Sequence, residues 1–210
     1  MIKKVIMKKN SYIYFLFLAI LYFFIDFVIN FILIKLLGGY DNKINYDLSI
    51  IYSRLFITLI FIVAVIINRK ISDYLNFKGI SLRKSLLWLG GGIIYSFIIV
   101  FIKNQNVTEY NFHLTQNNYF LFSAIILAPF YEEIIKKGLL SEYLLRKNAS
   151  PIFIIILISV LFSLSHLPSM EQVFYALSLG IITSWIYIKE RNLIYPVVFH
   201  CVYNFIVLSI

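Results

Sequence analysis

The stretch LFSAIILAPFYEEIIKKGLLSEYLL, residues 121–145, is long and apolar enough to cross a bilayer, yet it carries Glu132, Glu133, Lys136 and Lys137 near its middle. A spanning helix needs about 20 mostly apolar residues. An ionisable side chain at that depth costs about 2.5–3.5 kcal/mol or more. On a helix Glu132 faces Lys136 and Glu133 faces Lys137, each at i,i+4 with the acid first. Two intrahelical ion pairs would neutralise the four charges. They would not explain why four charges stand at membrane depth at all.

Six further apolar runs surround this one, giving seven candidate spans at roughly 12–37, 48–67, 85–102, 118–145, 151–167, 172–188 and 193–210. Of the 210 residues 61% are apolar and 14% charged, with mean hydropathy +0.86. Soluble domains run at about 45–50% apolar and about 25% charged. That excludes a soluble globular enzyme and a disordered chain. The single cysteine, Cys201, excludes an intrachain disulfide scaffold. The runs do not alternate, which argues against a membrane β-barrel. The expected fold class is all-α, a polytopic transmembrane helix bundle of about seven spans. The first run is too long for a signal-peptide core and no small-x-small cleavage site follows it, so it reads as a retained signal anchor.

The net charge of +9 does not point to nucleic acid, because the basic residues flank apolar runs and form no single stripe. They behave as topology signals. Lys3, Lys4, Lys8 and Lys9 precede the first span; Arg69, Lys70, Lys78, Arg83 and Lys84 fill the second loop; Arg146 and Lys147 follow the fourth span, and Lys189 and Arg191 the sixth. The intervening loops hold Lys43 against Asp41 and Asp47, and Lys103 against Glu109. The alternation places the N-terminus in the cytoplasm and the C-terminus outside. Richness in Ile, Lys, Asn, Phe and Tyr is compatible with an AT-rich genome, so the expected location is a bacterial plasma membrane, with the chain multi-pass in its lipid. The Gly90–Gly92 run in the third span is expected to permit close helix packing or a kink.

Residues 1–113 read as plain N-terminal transmembrane helices. Nearly all the intramembrane polar chemistry lies in 114–210. There the fifth span ends Phe162-Ser163-Leu164-Ser165-His166, and the seventh holds His200 and Asn204 at i,i+4, on one face. Singly, each is explained as a packed histidine or an interhelical hydrogen bond. If the last four spans bundle, these groups and the carboxylates converge in one polar cavity. A carboxylate there can act as a base toward water, His166 can orient the water, and His200 and Asn204 can donate to a developing oxyanion. Intramembrane Glu and His also build proton relays, but no inverted repeat of the transporter kind is visible. Arg54, early in the second span, is expected to snorkel or to meet an acid, Cys201 to pack as a small apolar residue, and His113 to be solvated.

In order and spacing, Glu132-Glu133-Ile134-Ile135-Lys136-Lys137 followed by Gly138, Phe162-Ser163-Leu164-Ser165-His166, and His200-Cys201-Val202-Tyr203-Asn204 resemble the EExxxR, FxxxH and HxxxN motifs of the CPBP family. These are the CAAX proteases and bacteriocin-processing enzymes, also called the Abi family, which are intramembrane proteases. Ala128-Pro129 and the Gly180 region are similar to the family as well, and the resemblance covers roughly 114–207. It implies that 114–210 is the catalytic core, an intramembrane endopeptidase acting on small peptides or leader and precursor peptides, lipidated or not, in bacteriocin or pheromone maturation or self-immunity. A non-catalytic membrane scaffold or immunity protein is the alternative. It implies Glu132 as catalytic base, His166 as its helper in activating water, His200 and Asn204 as oxyanion donors, and Glu133 as support for the base or the substrate. The chain departs from the pattern in placing Lys137 where the family has Arg, a point charge in place of a planar fork. No cofactor is expected. Zinc is the alternative, since two His and two Glu could ligate it, although HExxH spacing is absent.

Overall fold

A computed structural model describes residues 24–25, 27–37, 43–67, 75–77, 79–106, 121–167 and 169–209. The reading of the N-terminal lysines and of residues 12–23 as the start of a signal anchor lies outside them, as does His113. The described residues are helical, with short turns and no strand among them. Seven rods are present among these residues: α1 (Phe27–Leu36), α2 (Lys43–Ile67), α3 (Leu82–Asn106), α4 (Ser123–Arg146), α5 (Pro151–Leu164), α6 (Met170–Glu190) and α7 (Ile194–Ser209). The all-α class is as expected. Among the described residues one stretch, Leu82–Lys103, is both long and apolar enough to cross a membrane, and α1, α5, α7 and Leu48–Ile60 are shorter apolar helices.

The ends follow from local chemistry. Pro151 opens α5 at a position where its missing N–H costs nothing, and the Ser150 hydroxyl accepts from Phe153 N–H at 3.2 Å. Ser169 caps α6 in the same way through Gln172 N–H, at 3.3 Å. That helix ends at Arg191, in the left-handed region at φ 51°, and Asn192 Oδ1 accepts from Ile194 N–H at 2.9 Å to start α7.

The rod α4 departs from the regular α-helix expected over 118–145. It runs as π-helical Ser123–Leu127, α-helical Ala128–Glu133, π-helical Ile134–Ser141 and α-helical Glu142–Arg146. In the first wide segment the N–H of Ala128 reaches the Ser123 carbonyl, five residues back. The next donor in that register would be residue 129, and Pro129 has no N–H. In the second, the Ser141 hydroxyl donates to the Lys136 carbonyl at 3.0 Å, again five residues back. Wide turns of this kind cluster at functional sites.

The helices pack with α3 along α7 and α5 along α6, while α7 also crosses the first half of α4. Two glycines set the close approaches. A Cβ on Gly92 would stand 3.2 Å from the Phe199 carbonyl oxygen, and one on Gly180 would stand 3.1 Å from Ser159 Cα. Only the last glycine of the Gly90–Gly92 run is so constrained, for Gly90 faces open space, and α3 continues through the run as one helix. The core joins Trp88, Ile99, Phe162, Leu179, Ile186 and Phe199.

Polar and apolar residues are distributed inside out. Glu133, Lys136, Lys137, Ser96, Ser159 and Thr183 are buried, whereas Leu87, Ile94, Phe101, Ile152 and Phe174 are each more than 60% exposed. The buried hydroxyls return to their own helices: Ser96 to Gly92 O at 2.6 Å, Ser159 to Ile155 O at 2.6 Å and Thr183 to Leu179 O at 3.0 Å. They need no water to be satisfied.

Candidate active site

A cavity of about 350 Å³ opens between α2, α3, α4, α6 and α7. Glu132, His166, His200 and Asn204 all line it. The chain thus brings together four of the singled-out residues from two helices and a turn. Glu133 and Lys137 stand behind this wall with no exposed side-chain surface. Consecutive helical residues point about 100° apart, so the two glutamates occupy different environments although they adjoin in sequence.

Glu133 is held from two sides. His200 Nδ1 donates to its Oε1 at 3.0 Å, and the Lys137 ammonium lies 3.2 Å from Oε2 and 3.4 Å from Oε1. The i,i+4 pairing expected for this glutamate is formed. The carboxylate fixes the His200 ring and leaves Nε2 as the nitrogen free to act in the cavity. Lys136 lays its ammonium over the Phe162 ring, 4.1 Å from the centroid, and donates to Ser165 Oγ at 3.1 Å. The Lys137 ammonium lies 4.8 Å from the centroid of the same ring. Phe162 also contacts both imidazoles, His166 at 5.2 Å and His200 edge-on at 5.6 Å between centroids. One aromatic ring therefore spaces two buried ammonium groups and two histidines, using its negative face for the cations.

His166 follows the end of α5, in the turn 165–167. Its Nδ1 lies 3.0 Å from the Phe162 carbonyl oxygen. A carbonyl only accepts, so Nδ1 carries the proton and Nε2 presents a lone pair. This backward turn reconciles a histidine at a helix end with a glutamate well inside α4. Asn204 Nδ2 donates to the Ala124 carbonyl at 2.7 Å. That carbonyl is the one left without a helical donor by Pro129, so the Ala128-Pro129 pair and Asn204 form one device. The amide keeps a second N–H.

Arg54 is the addition from the N-terminal half. It lines the cavity and its guanidinium donates to the buried Ser123 Oγ at 3.0 Å. An arginine within an apolar helix was the visible signal, with either snorkelling or an acid as its expected destination. Gln172 and Tyr175 on α6 also line the wall. Neither had a distinguishing sequence signal, since polar residues opening a helix are commonplace. Cys201 is half-buried and stands outside the cavity lining. Among the described residues no three His, Cys, Asp or Glu side chains are grouped to hold a metal ion. The two oxygens of Glu133 face Lys137 and His200, and a second cation there would meet the Lys137 ammonium.

Fold and site together define an all-helical protein with a carboxylate and imidazole centre inside its bundle. Residues 114–206 match the family described as Type II CAAX prenyl endopeptidase Rce1-like, a match to the CPBP/CAAX protease family. The resemblance carried by the three motifs is thereby borne out, and the family is one of membrane-embedded CAAX endopeptidases. No curated protein and no solved structure matches the chain.

Proposed function

We propose that the chain is a multi-pass endopeptidase of a bacterial plasma membrane, hydrolysing peptide bonds in small precursor or leader peptides by general-base catalysis from Glu132. The observation that carries this reading is the division of labour between the glutamates. Glu132 is open to a cavity large enough for a segment of peptide backbone, and Glu133 is sealed behind it against His200 and Lys137. The inside-out distribution of charge and the apolar exterior support the membrane setting.

In the reaction Glu132 takes a proton from water as its oxygen attacks the peptide carbonyl carbon. The carbonyl electrons move onto oxygen. The second N–H of Asn204 and, when protonated there, Nε2 of His200 donate to that oxyanion. His166 accepts from the attacking water through its Nε2 lone pair. Collapse of the intermediate breaks the carbon–nitrogen bond, and protonated Glu132 returns the proton to the leaving amine. No metal enters this sequence. Bacteriocin or pheromone precursors are substrates of suitable size, and self-immunity is a use of the same chemistry.

The test is hydrolysis by the purified, detergent-solubilised protein of a library of short peptides in ¹⁸O-labelled water, read by mass spectrometry. Fragments with label in the new carboxyl terminus are expected. Intact peptides throughout, from folded protein, would leave a scaffold or immunity protein as the better reading.

A further inference from the structure

We infer that the site opens on the outer face of the membrane, so that its substrates are peptide segments already exported from the cytoplasm. The inference rests on the membrane reading above and joins two independent observations, where the charges lie and where the cavity lies.

Thirteen of the 19 lysines and arginines fall in the N-terminal stretch, in the loops after α2, α4 and α6, and at the helix ends that flank those loops. The structure gathers those three loops at one end. Leu193 N–H donates to the Asn76 carbonyl at 2.8 Å, Lys84 pairs with Glu190 at 2.6 Å, and Arg191 and Arg146 converge on Glu142 at 2.7 and 3.2 Å. Tyr187 adds its hydroxyl to the same carboxylate at 3.0 Å. Short loops rich in Lys and Arg stay in the cytoplasm.

The cavity is at the other end. Its rim comes from the last turns of α3 and α7 at Lys103 and Leu208, from Ser169 in the turn after α5, and from Gln172 in the first turn of α6. Helices that run up and down alternate their ends, so each of these positions lies at the opposite end from the basic loops. The sequence near this end holds Asp41, Asp47, Glu109 and Glu171 against Lys35, Lys43 and Lys103, with none of the basic excess that retains a loop. Glu132 lies deeper, between the rim and the sealed Glu133. A peptide entering past Gln172 reaches Glu132 without crossing the basic end. A cytoplasmic C-terminus would have to pass the Glu142 cluster and the packed cores to do so.

Two measurements on the full chain in intact cells test this. On a Cys201→Ala background, Gln172→Cys should react with a membrane-impermeant maleimide in intact cells, and Lys147→Cys should react only after permeabilisation. The reverse pattern, or equal labelling of both, would overturn the orientation. In parallel, the peptide cut by the purified protein is displayed from a single-span reporter on either side of the membrane. Loss of the full-length reporter is expected only for the outward display. Cutting of the cytoplasmic display alone would overturn the inference. The expected labelling with neither reporter cut would uphold the orientation and count against the protease reading itself.

Discussion

Replacing Lys137 by Met separates the positive partner of Glu133 from everything else at the site. In the parent, Glu133 is fully buried with its ammonium partner at 3.2 Å and an imidazole nitrogen at 3.0 Å. Removing one member of a buried pair typically costs about 3–5 kcal/mol, because the remaining charge has neither water nor partner. His200 still donates to Oε1, so the lower end is expected, about 3 kcal/mol or roughly a 100-fold fall in kcat/KM if the loss is felt at the site. The carboxylate can escape part of this by taking up a proton, which would release its hold on the His200 ring and lower activity by the same route. Methionine keeps most of the volume over Phe162, so packing is a minor contributor. Lys137→Arg restores the charge with a second donor, set against about 1–3 kcal/mol for enlarging a side chain in a space with no exposure. Activity within about tenfold of the parent is expected, since the two effects are of similar size. The assay is cleavage of a fluorogenic peptide in micelles, with thermal unfolding as the control for folding. Parental activity in Lys137→Met would refute the assignment of Lys137 as the counterpart of the family arginine.

Three further outcomes follow from other contacts. Asn204→Ala should lower kcat by about 10²–10³ through loss of an oxyanion donor and lower stability by about 1–3 kcal/mol by orphaning the Ala124 carbonyl; an unchanged Tm would show that this hydrogen bond does not support the bundle. Gly180→Ala should lower Tm, since the new methyl meets the Ser159 backbone at a cost of about 1–3 kcal/mol, while Gly90→Ala should not; equal effects would contradict the close approach of α5 and α6. Treatment of active protein with a metal chelator should leave turnover unchanged, and loss restored by added zinc would replace the metal-free mechanism.

The helices were legible because each is an apolar run ended by recognisable chemistry, Ser150-Pro151 and Ser169 among them. The three motifs were legible because their spacing survives without any knowledge of packing. What could not be read was tertiary. The first π-helical segment of α4 depends on Pro129 freeing a carbonyl that a side chain 80 residues later then satisfies. Which of two adjacent glutamates faces the cavity depends on how α4 is rotated against α7, and no local pattern encodes that rotation. Arg54 announced itself as an unusual residue in an apolar helix, but its arrival beside Ser123 required the packing of α2 on α4. Glu132 is central in its apolar run and His166 ends another, so depth along the two helices does not by itself bring them together. The Phe162 carbonyl turns His166 back toward the cavity that Glu132 enters from the side.

The most direct test is the turnover of Glu132→Gln, purified and compared with the parent on the same peptide. The amide keeps the size and the hydrogen-bonding reach of the side chain but cannot take the proton from water. Peptide binding and Tm should stay near parental values, and cleavage should fall to background. A Glu132→Gln protein that cleaves at the parental rate would contradict the assignment of Glu132 as the base.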